Sequence, residues 1–235
     1  NDRLIEVEKY KYRPNRRYYT LDELNQWMDE LYGWTINWET MGGFFKRVES
    51  EGIGMNYAPL VGHATIRTNV MGLDYKRDAT SDELAEMWVL IENAMFDGCL
   101  GLSTGLDYDP DVFASNDEII DGVRVLKKYN GVYCPHWKKT GRREGIKAGA
   151  KQPEPIQGIL DAINVHKETG VRLHFAHIRS GWNINPSPPE DFSEFNANKT
   201  IQTIIDQSKT DLDITWDAIP SMVKGGFTWI GPYLI

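Results

Sequence analysis

Three short apolar segments of the chain each end in residues that could bind a metal ion or a substrate. One is residues 101–108 (GLSTGLDY), which carries hydroxyl, carboxyl and phenol groups. The other two end in His136 and His177. Histidine nitrogen is a common ligand of zinc, and a catalytic zinc keeps one position open for water. If these segments are neighbouring parallel strands, their carboxyl ends meet at one edge of a sheet, which is where such chemistry is assembled.

Each histidine also has a simpler interpretation, and the residues alone leave both open. His136 and His177 could equally be hydrogen-bonded histidines at strand ends. His63 follows another predicted strand and could either face the site or be structural. His174 lies three residues before His177, so strand alternation predicts that it points to the opposite face and packs against a helix. His166 falls in a predicted helix, where a surface or packing role is the simplest interpretation.

The remaining polar residues near these segments favour no nucleophilic mechanism. Ser103 does not lie in a G-x-S-x-G elbow, and no base can be assigned to it. Asp217 ends the last predicted strand; a metal or base role is conceivable there, and a capping or turn role is the safer interpretation. Cys99 and Cys134 lie inside apolar segments and indicate no disulfide framework, so we expect a reducing, cytoplasmic compartment.

Composition narrows the class of protein. The 235 residues include 41% hydrophobic and 26% charged side chains, which is ordinary for a globular protein. A net charge of −8 argues against a nucleic-acid partner, because phosphate binding requires a basic face. No apolar run reaches the roughly 18 residues of a membrane span, so we expect no membrane partner. We interpret residues 1–235 as a single domain, and the initial Asn1 suggests that the chain is not a complete translated product.

Hydrophobic periodicity predicts alternating strands and helices. Such a series forms a parallel sheet with right-handed crossovers, either open or part of a closed barrel. No glycine-rich phosphate loop lies at a strand-to-helix turn, so a nucleotide cofactor has no support. The predicted strands are 54–61, 99–106, 131–136, 171–178 and 211–217, and the predicted helices are 20–33, 38–51, 80–98, 115–129, 155–169 and 199–208.

Six ordered blocks of the sequence together resemble one known family. The blocks are 56–72 (beginning NYAPLVGHATIR), 79–87 (ATSDELAEM), 101–108, 132–136 (VYCPH), 173–181 (LHFAHIRSG) and 213–220 (DITWDAIP). They are similar to blocks of the N-acyl-D-amino-acid deacylases, or D-aminoacylases, which are metal-dependent amidohydrolases. Residues 101–108 match the family pattern G-L-S-T-G-L-x-Y and are the most specific block.

The resemblance implies an α/β fold, a partial TIM-like (β/α) barrel comprising about strands three to seven of the amidohydrolase barrel. It also implies that His136 and His177 are metal ligands for one or two zinc ions. Tyr108 and Arg179 correspond to positions that hold the carboxylate of the substrate. The family usually has lysine at the second position; arginine keeps the charge and adds a second donor.

Other parts of the family's active site have no counterpart in this chain. They are an H-x-H motif, a bridging cysteine and a catalytic aspartate, which would fall before residue 1 and after residue 235. Neither Cys99 nor Cys134 matches the bridging position. The resemblance therefore implies a zinc-dependent hydrolase that cleaves a small-molecule amide with metal-activated water, its catalytic residue lying outside this chain and its barrel completed by another chain or segment. The alternatives are a non-catalytic amidohydrolase-like module and a cyclic-amide hydrolase of the same superfamily.

Overall fold

The computed structural model describes residues 4–7, 17–107, 109–138, 154–178, 199, 202–211 and 213–218. Within the described part of the chain, no helix is both long enough and apolar enough to cross a membrane.

A parallel sheet of five strands forms the centre of the described structure. Its strands follow the order of the chain, so each is hydrogen-bonded to the next. This arrangement confirms the predicted α/β class, and the sheet does not close on itself among the described residues. The strands are β3 (Val61–Gly62), β4 (Gly101–Gly105), β5 (Val132–His136), β6 (Arg172–Ile178) and β7 (Ile214–Ala218), and an antiparallel hairpin of β1 (Leu4–Val7) and β2 (Arg17–Thr20) precedes them.

Helices connect the strands, as the periodicity predicts. The best-defined is α4, which begins with a capping box in which Thr80 and Glu83 each satisfy the other's backbone N–H. It ends at Gly98, whose φ of 117° favours glycine. The α-helices are α1 (Leu21–Tyr32), α2 (Met41–Glu51), α3 (His63–Met71), α4 (Ser81–Asp97), α5 (Asn116–Arg124) and α6 (Glu154–Thr169), and residues 202–210 are also helical.

The hydrophobic core lies between one face of the sheet and these helices. Leu102 of β4, Tyr133 of β5, and Leu173 and Phe175 of β6 are fully buried on that face. Helix α4 contributes Met87, Ile91 and Met95, α5 contributes Ile119 and Val123, and α6 contributes Ile159 and Ile163. Burial of these side chains is the main force that holds the helices against the sheet.

The opposite face of the sheet carries small and polar side chains. Along β5 the burial alternates, so Val132, Cys134 and His136 lie on this second face while Tyr133 is enclosed. An open depression of about 340 Å³ lies here, lined by Cys134, Arg172, His174 and Thr215 among others. We call this side the inner face, since in a closed barrel it lines the interior.

The predicted strand 54–61 is wrong in most of its length. Only Val61–Gly62 of these residues is a strand: β3 lies at the edge of the sheet formed by the described residues, with β4 as its partner there, and residues 52–58 are exposed. The following residue, His63, begins helix α3 instead of ending a strand. The predicted helix 115–129 also changes character: α5 ends at Arg124, and Val125–Tyr129 continues as a 3-10 helix.

Candidate functional site

His136 and His177 meet at the carboxyl ends of β5 and β6. Nδ1 of His136 lies 3.0 Å from Nε2 of His177, and the two rings are nearly perpendicular. Trp137, which is 1% exposed, packs beside Phe175 and close to the His177 ring. Parallel pairing places the carboxyl ends of β5 and β6 side by side, and the two imidazole rings are therefore in contact.

The conformation of β6 changes just before His177. Two residues lie between Phe175 and Ile178, whereas one lies between their partners Trp216 and Ala218 on β7, so β6 contains one extra residue at this point. His177 itself has a φ of 41°, in the left-handed region that is uncommon for residues other than glycine. This bulge re-aims the His177 side chain, which strand alternation from Phe175 would otherwise direct towards the helices.

The prediction for His174 is wrong, because it took His177 as its reference, whereas the bulge re-aims His177 and leaves His174 in regular alternation with the buried Leu173 and Phe175. The His174 ring lies on the inner face and does not pack against a helix: Nδ1 is 2.8 Å from Oγ1 of Thr215, and Nε2 is 3.0 Å from Oδ2 of Asp217. The other oxygen of Asp217 accepts a hydrogen bond from the backbone N–H of His177. Burial alone would raise the pKa of Asp217, but these donors hold it below its ordinary value. The Asp217 side chain thus connects β7 to the bulge through hydrogen bonds, and it does not cap a helix.

A second carboxylate lies behind His136. Oδ2 of Asp107, from the turn that follows β4, is 3.5 Å from Nε2 of His136, and its side chain is 8% exposed. The two nitrogens of His136 therefore face different groups: one faces His177 and the other faces Asp107. At 3.5 Å the contact is within ion-pairing distance and longer than an ordinary hydrogen bond. A carboxylate behind a metal-bound histidine commonly orients the ring of that histidine.

The donor set fits part of a zinc site. Two nitrogens bound to one tetrahedral zinc, each at 2.0–2.1 Å, are about 3.3 Å apart. The 3.0 Å between the His136 and His177 nitrogens is close to that value. Among the described residues, however, no group of three or more His, Cys, Asp or Glu side chains is arranged to hold a metal ion. The structure brings together two ligands of the predicted site, and their role as ligands stays a prediction.

Among the described residues, neither cysteine forms a group of three or more possible metal ligands with the histidine pair. Both are free, and Cys99 is buried. Burial raises the pKa of the Cys99 thiol to about 12 and that of Cys134 to about 11. Both thiols are therefore protonated at neutral pH when no metal is bound. Ser103 makes a long contact of 3.4 Å with the carbonyl oxygen of Val61, which is a structural role.

The sequence-based assignment of His63 left a structural and a site role open, and the structure places it in a buried charged cluster. Its Nδ1 is 2.8 Å from Oδ1 of Asp111, and its Nε2 is 3.2 Å from Oε1 of Glu118. Arg67, one helical turn later, donates to both oxygens of Glu118. Burial alone would lower the pKa of His63, but the two carboxylates raise it to about 9.

Sequence reasoning missed the two acidic members of this cluster. Asp111 and Glu118 lie in a stretch rich in polar residues, and nothing in their spacing separates them from surface residues. The one available signal was the i, i+4 pair of His63 and Arg67 on an otherwise apolar helix face, which predicts buried acidic partners.

The remaining predicted residues divide into two groups. His166 is 6% exposed, and its nitrogens lie 2.6 Å from the carbonyl oxygen of Val171 and 2.7 Å from Oδ2 of Asp211, so it is a buried packing residue. Tyr108 and Arg179 lie outside the described residues.

Comparison with known proteins agrees with the fold and the motifs. No model of a known protein family matches the chain. The D-aminoacylase of Alcaligenes xylosoxydans xylosoxydans is 35% identical over 141 residues, which are 59% of this chain and 28% of that protein. The N-acyl-D-aspartate deacylase of the same organism is 33% identical over 124 residues, 52% of this chain and 22% of that protein.

A solved structure extends the comparison to the fold. A D-aminoacylase studied for its binuclear metal centre superposes with a TM-score of 0.63 and 25% identity, covering 77% of this chain and 34% of that one. The parallel sheet and this superposition identify the class of fold: the described region matches part of an amidohydrolase TIM-like barrel. In sequence the chain is similar to D-aminoacylases and an N-acyl-D-aspartate deacylase, which confirms the resemblance drawn from the motifs. It spans between 22% and 34% of the length of these relatives.

Proposed function

We propose that this chain forms part of a zinc-dependent amidohydrolase that cleaves the amide bond of an N-acyl-D-amino acid. The observation that carries the proposal is the pair of imidazole nitrogens, 3.0 Å apart, at the carboxyl ends of two neighbouring barrel strands. The relatives support it, since they include two enzymes named for deacylation of D-amino acids or their N-acyl derivatives, and a D-aminoacylase described as having a binuclear metal centre activated by one metal.

In this proposal the described residues hold and orient the metal. His136 and His177 would be two of its ligands, Asp107 would orient the first ring, and Asp217 would hold the backbone of the second. A bound zinc polarises a carbonyl and lowers the pKa of its water, which are the two requirements of amide hydrolysis. Tyr108 and Arg179 would bind the carboxylate of the substrate through a phenol and a guanidinium.

Further segments are needed to complete the proposed enzyme. The inner face of the sheet carries the histidine pair at the carboxyl ends of its strands, and Cys134, His174 and Thr215 line an open depression on this face. We propose that other barrel strands, from this protein or from another chain, cover this face and supply the remaining ligands and the catalytic aspartate. A cytoplasmic location is part of the proposal and is supported by the two free cysteines.

Metal analysis of the full-length protein tests the site. Purified protein should contain about one zinc, and the double variant His136→Ala, His177→Ala should lose it. The matched control is His166→Ala, which also removes a buried imidazole but lies 2.6 Å from a carbonyl at the other end of β6, and it should keep its zinc. Equal zinc content in the double variant and the wild type would refute the site.

A substrate screen tests the reaction. N-acyl-D-amino acids with acidic and apolar side chains should be hydrolysed, whereas their L-enantiomers should not. Hydrolysis of cyclic amides alone would favour the cyclic-amide alternative. Full-length protein that carries no zinc and hydrolyses neither class would favour the non-catalytic module.

A further inference from the structure

A cluster of four charged side chains lies outside the histidine pair and has no part in the function proposed above. The side chains of His63, Arg67, Asp111 and Glu118 are each at most 2% exposed. They come from α3, from the 3-10 turn after β4 and from the first turn of α5. Burying four charges is costly, and replacing such groups with apolar residues is often neutral for stability. We therefore asked whether the cluster also holds a neighbouring segment of the chain in position, in addition to any effect on stability.

Asp111 closes the turn that follows β4. One of its oxygens lies 2.8 Å from Nδ1 of His63, and the other accepts a hydrogen bond of 2.7 Å from the backbone N–H of Gly105. Gly105 is the last residue of β4, so a single buried carboxylate joins both ends of residues 105–111 and attaches them to α3.

A second connection holds the middle of the same turn. Arg67 donates a hydrogen bond of 3.1 Å to the carbonyl oxygen of Tyr75. The phenol of Tyr75 donates in turn to Oδ2 of Asp109, at 3.2 Å. Tyr75 is 1% exposed, and its hydrogen bond to Asp109 is partly buried. The cluster thus fixes residues 105–111 at both ends and at Asp109.

The turn carries Asp107, whose carboxylate faces His136. Asp107 Oδ2 lies 3.5 Å from Nε2 of His136, on the side of the ring away from His177. Residue 108, which the family resemblance assigns to substrate binding, follows directly in the sequence. Any shift of the turn would therefore displace the group behind one predicted metal ligand.

We propose that His63 and Asp111 are positioning residues: their buried pair holds the turn 105–111 so that the Asp107 carboxylate orients His136 for metal binding. The metal part of this inference rests on the proposed function, and the holding of the turn does not. Asp107 connects the two sites, because it belongs to the turn that the buried cluster holds and its side chain faces His136.

The test compares two histidine variants of the full-length protein. His63→Gln removes the charge that holds Asp111. The matched control, His166→Gln, removes a buried histidine that also bonds an aspartate, Asp211 at 2.7 Å, at the opposite end of the sheet. Amide hydrogen exchange of the peptide 105–111 and the zinc dissociation constant, measured by competition with a chromophoric chelator, are the two readouts.

We expect His63→Gln to speed exchange in 105–111 at least tenfold and to weaken zinc binding about 10-fold or more, the range found when groups behind a metal ligand are removed. His166→Gln should change neither by more than about twofold. Unchanged exchange in His63→Gln, or equal changes in both variants, would overturn the proposal.

A second variant covers the case in which His63→Gln does not fold. Asp107→Asn leaves the buried cluster intact and should weaken zinc binding by a similar factor while exchange in 105–111 stays within twofold of wild type. Unchanged zinc affinity in Asp107→Asn would refute the link to His136. If the wild type binds no zinc, the proposed function fails, and the hydrogen exchange of His63→Gln or of Asp111→Asn alone decides whether the pair holds the turn.

Discussion

Replacing Glu118 by alanine should lower the free energy of unfolding of this protein far more than replacing a surface glutamate does. Glu118 accepts from Arg67 and lies 3.2 Å from Nε2 of His63, with a side chain 2% exposed. Removing it takes away the carboxylate that both cations face: Arg67 keeps its bonds to the carbonyl oxygens of Tyr75 and Arg77, and His63 keeps Asp111. Breaking a buried ion pair in this way costs about 3–5 kcal/mol of the free energy of unfolding. For a chain of this size that corresponds to a fall in Tm of roughly 6–20 °C.

Urea unfolding and thermal melts of the two variants Glu118→Ala and Glu92→Ala provide the measurement. Glu92 pairs with Lys128 on the surface, where the two side chains are 42% and 55% exposed, so its loss should cost less than about 1 kcal/mol. The double variant Arg67→Met, Glu118→Met should recover part of the loss, because it removes the unpaired charge as well as its partner. A loss from Glu118→Ala no larger than that from Glu92→Ala would refute the reasoning.

Two further predictions follow from the same structure. The pKa of His63 is about 9 in the folded protein and about 6.5 in an unfolded chain, so its ionic contribution is fully present below about pH 6.5 and is lost as pH rises through 9. The stability advantage of the wild type over His63→Gln, measured by urea unfolding, should therefore shrink across this interval; a constant difference would contradict the raised pKa. Gly101→Ala would place a Cβ 1.9 Å from the backbone oxygen of Val132 and should cost at least about 2 kcal/mol, whereas Gly54→Ala meets nothing within 4 Å and should change stability by less than about 0.5 kcal/mol. Similar urea midpoints for the two glycine variants would show that β4 and β5 can separate without loss.

Much of the fold could be predicted from local pattern. Helix α4 is an example, since its capping box at Thr80, its apolar face and its terminal Gly98 can all be identified from residues that are close together in the sequence. Strands β5 and β6 follow from short apolar runs bounded by glycine and by polar residues. Strand β3 could not be predicted in its true length, because whether residues 54–60 pair depends on a neighbouring strand and not on their own sequence.

The candidate site was predictable only in part. His136 and His177 stand out because each ends an apolar run, and parallel pairing brings such ends together. The side to which His177 points was not predictable by alternation, because the extra residue in β6 and a positive φ reverse it. His174 lies before the bulge, and ordinary alternation with the buried Leu173 and Phe175 places it beside Asp217 on the inner face, against the expectation that it packs on a helix.

The sequence by itself determined the class of fold, the order of its elements and the family resemblance, because periodicity, caps and motifs are properties of short stretches of chain. Only the tertiary structure decided which charges are buried together. His63 and Asp111 are 48 residues apart in the chain, yet their side chains meet at 2.8 Å. Which polar groups meet at that separation in the chain depends on how the helices pack over the sheet. The hydrophobic effect drives this packing, but it is non-directional and does not select individual polar partners. The histidine pair and the turn behind it are therefore products of packing.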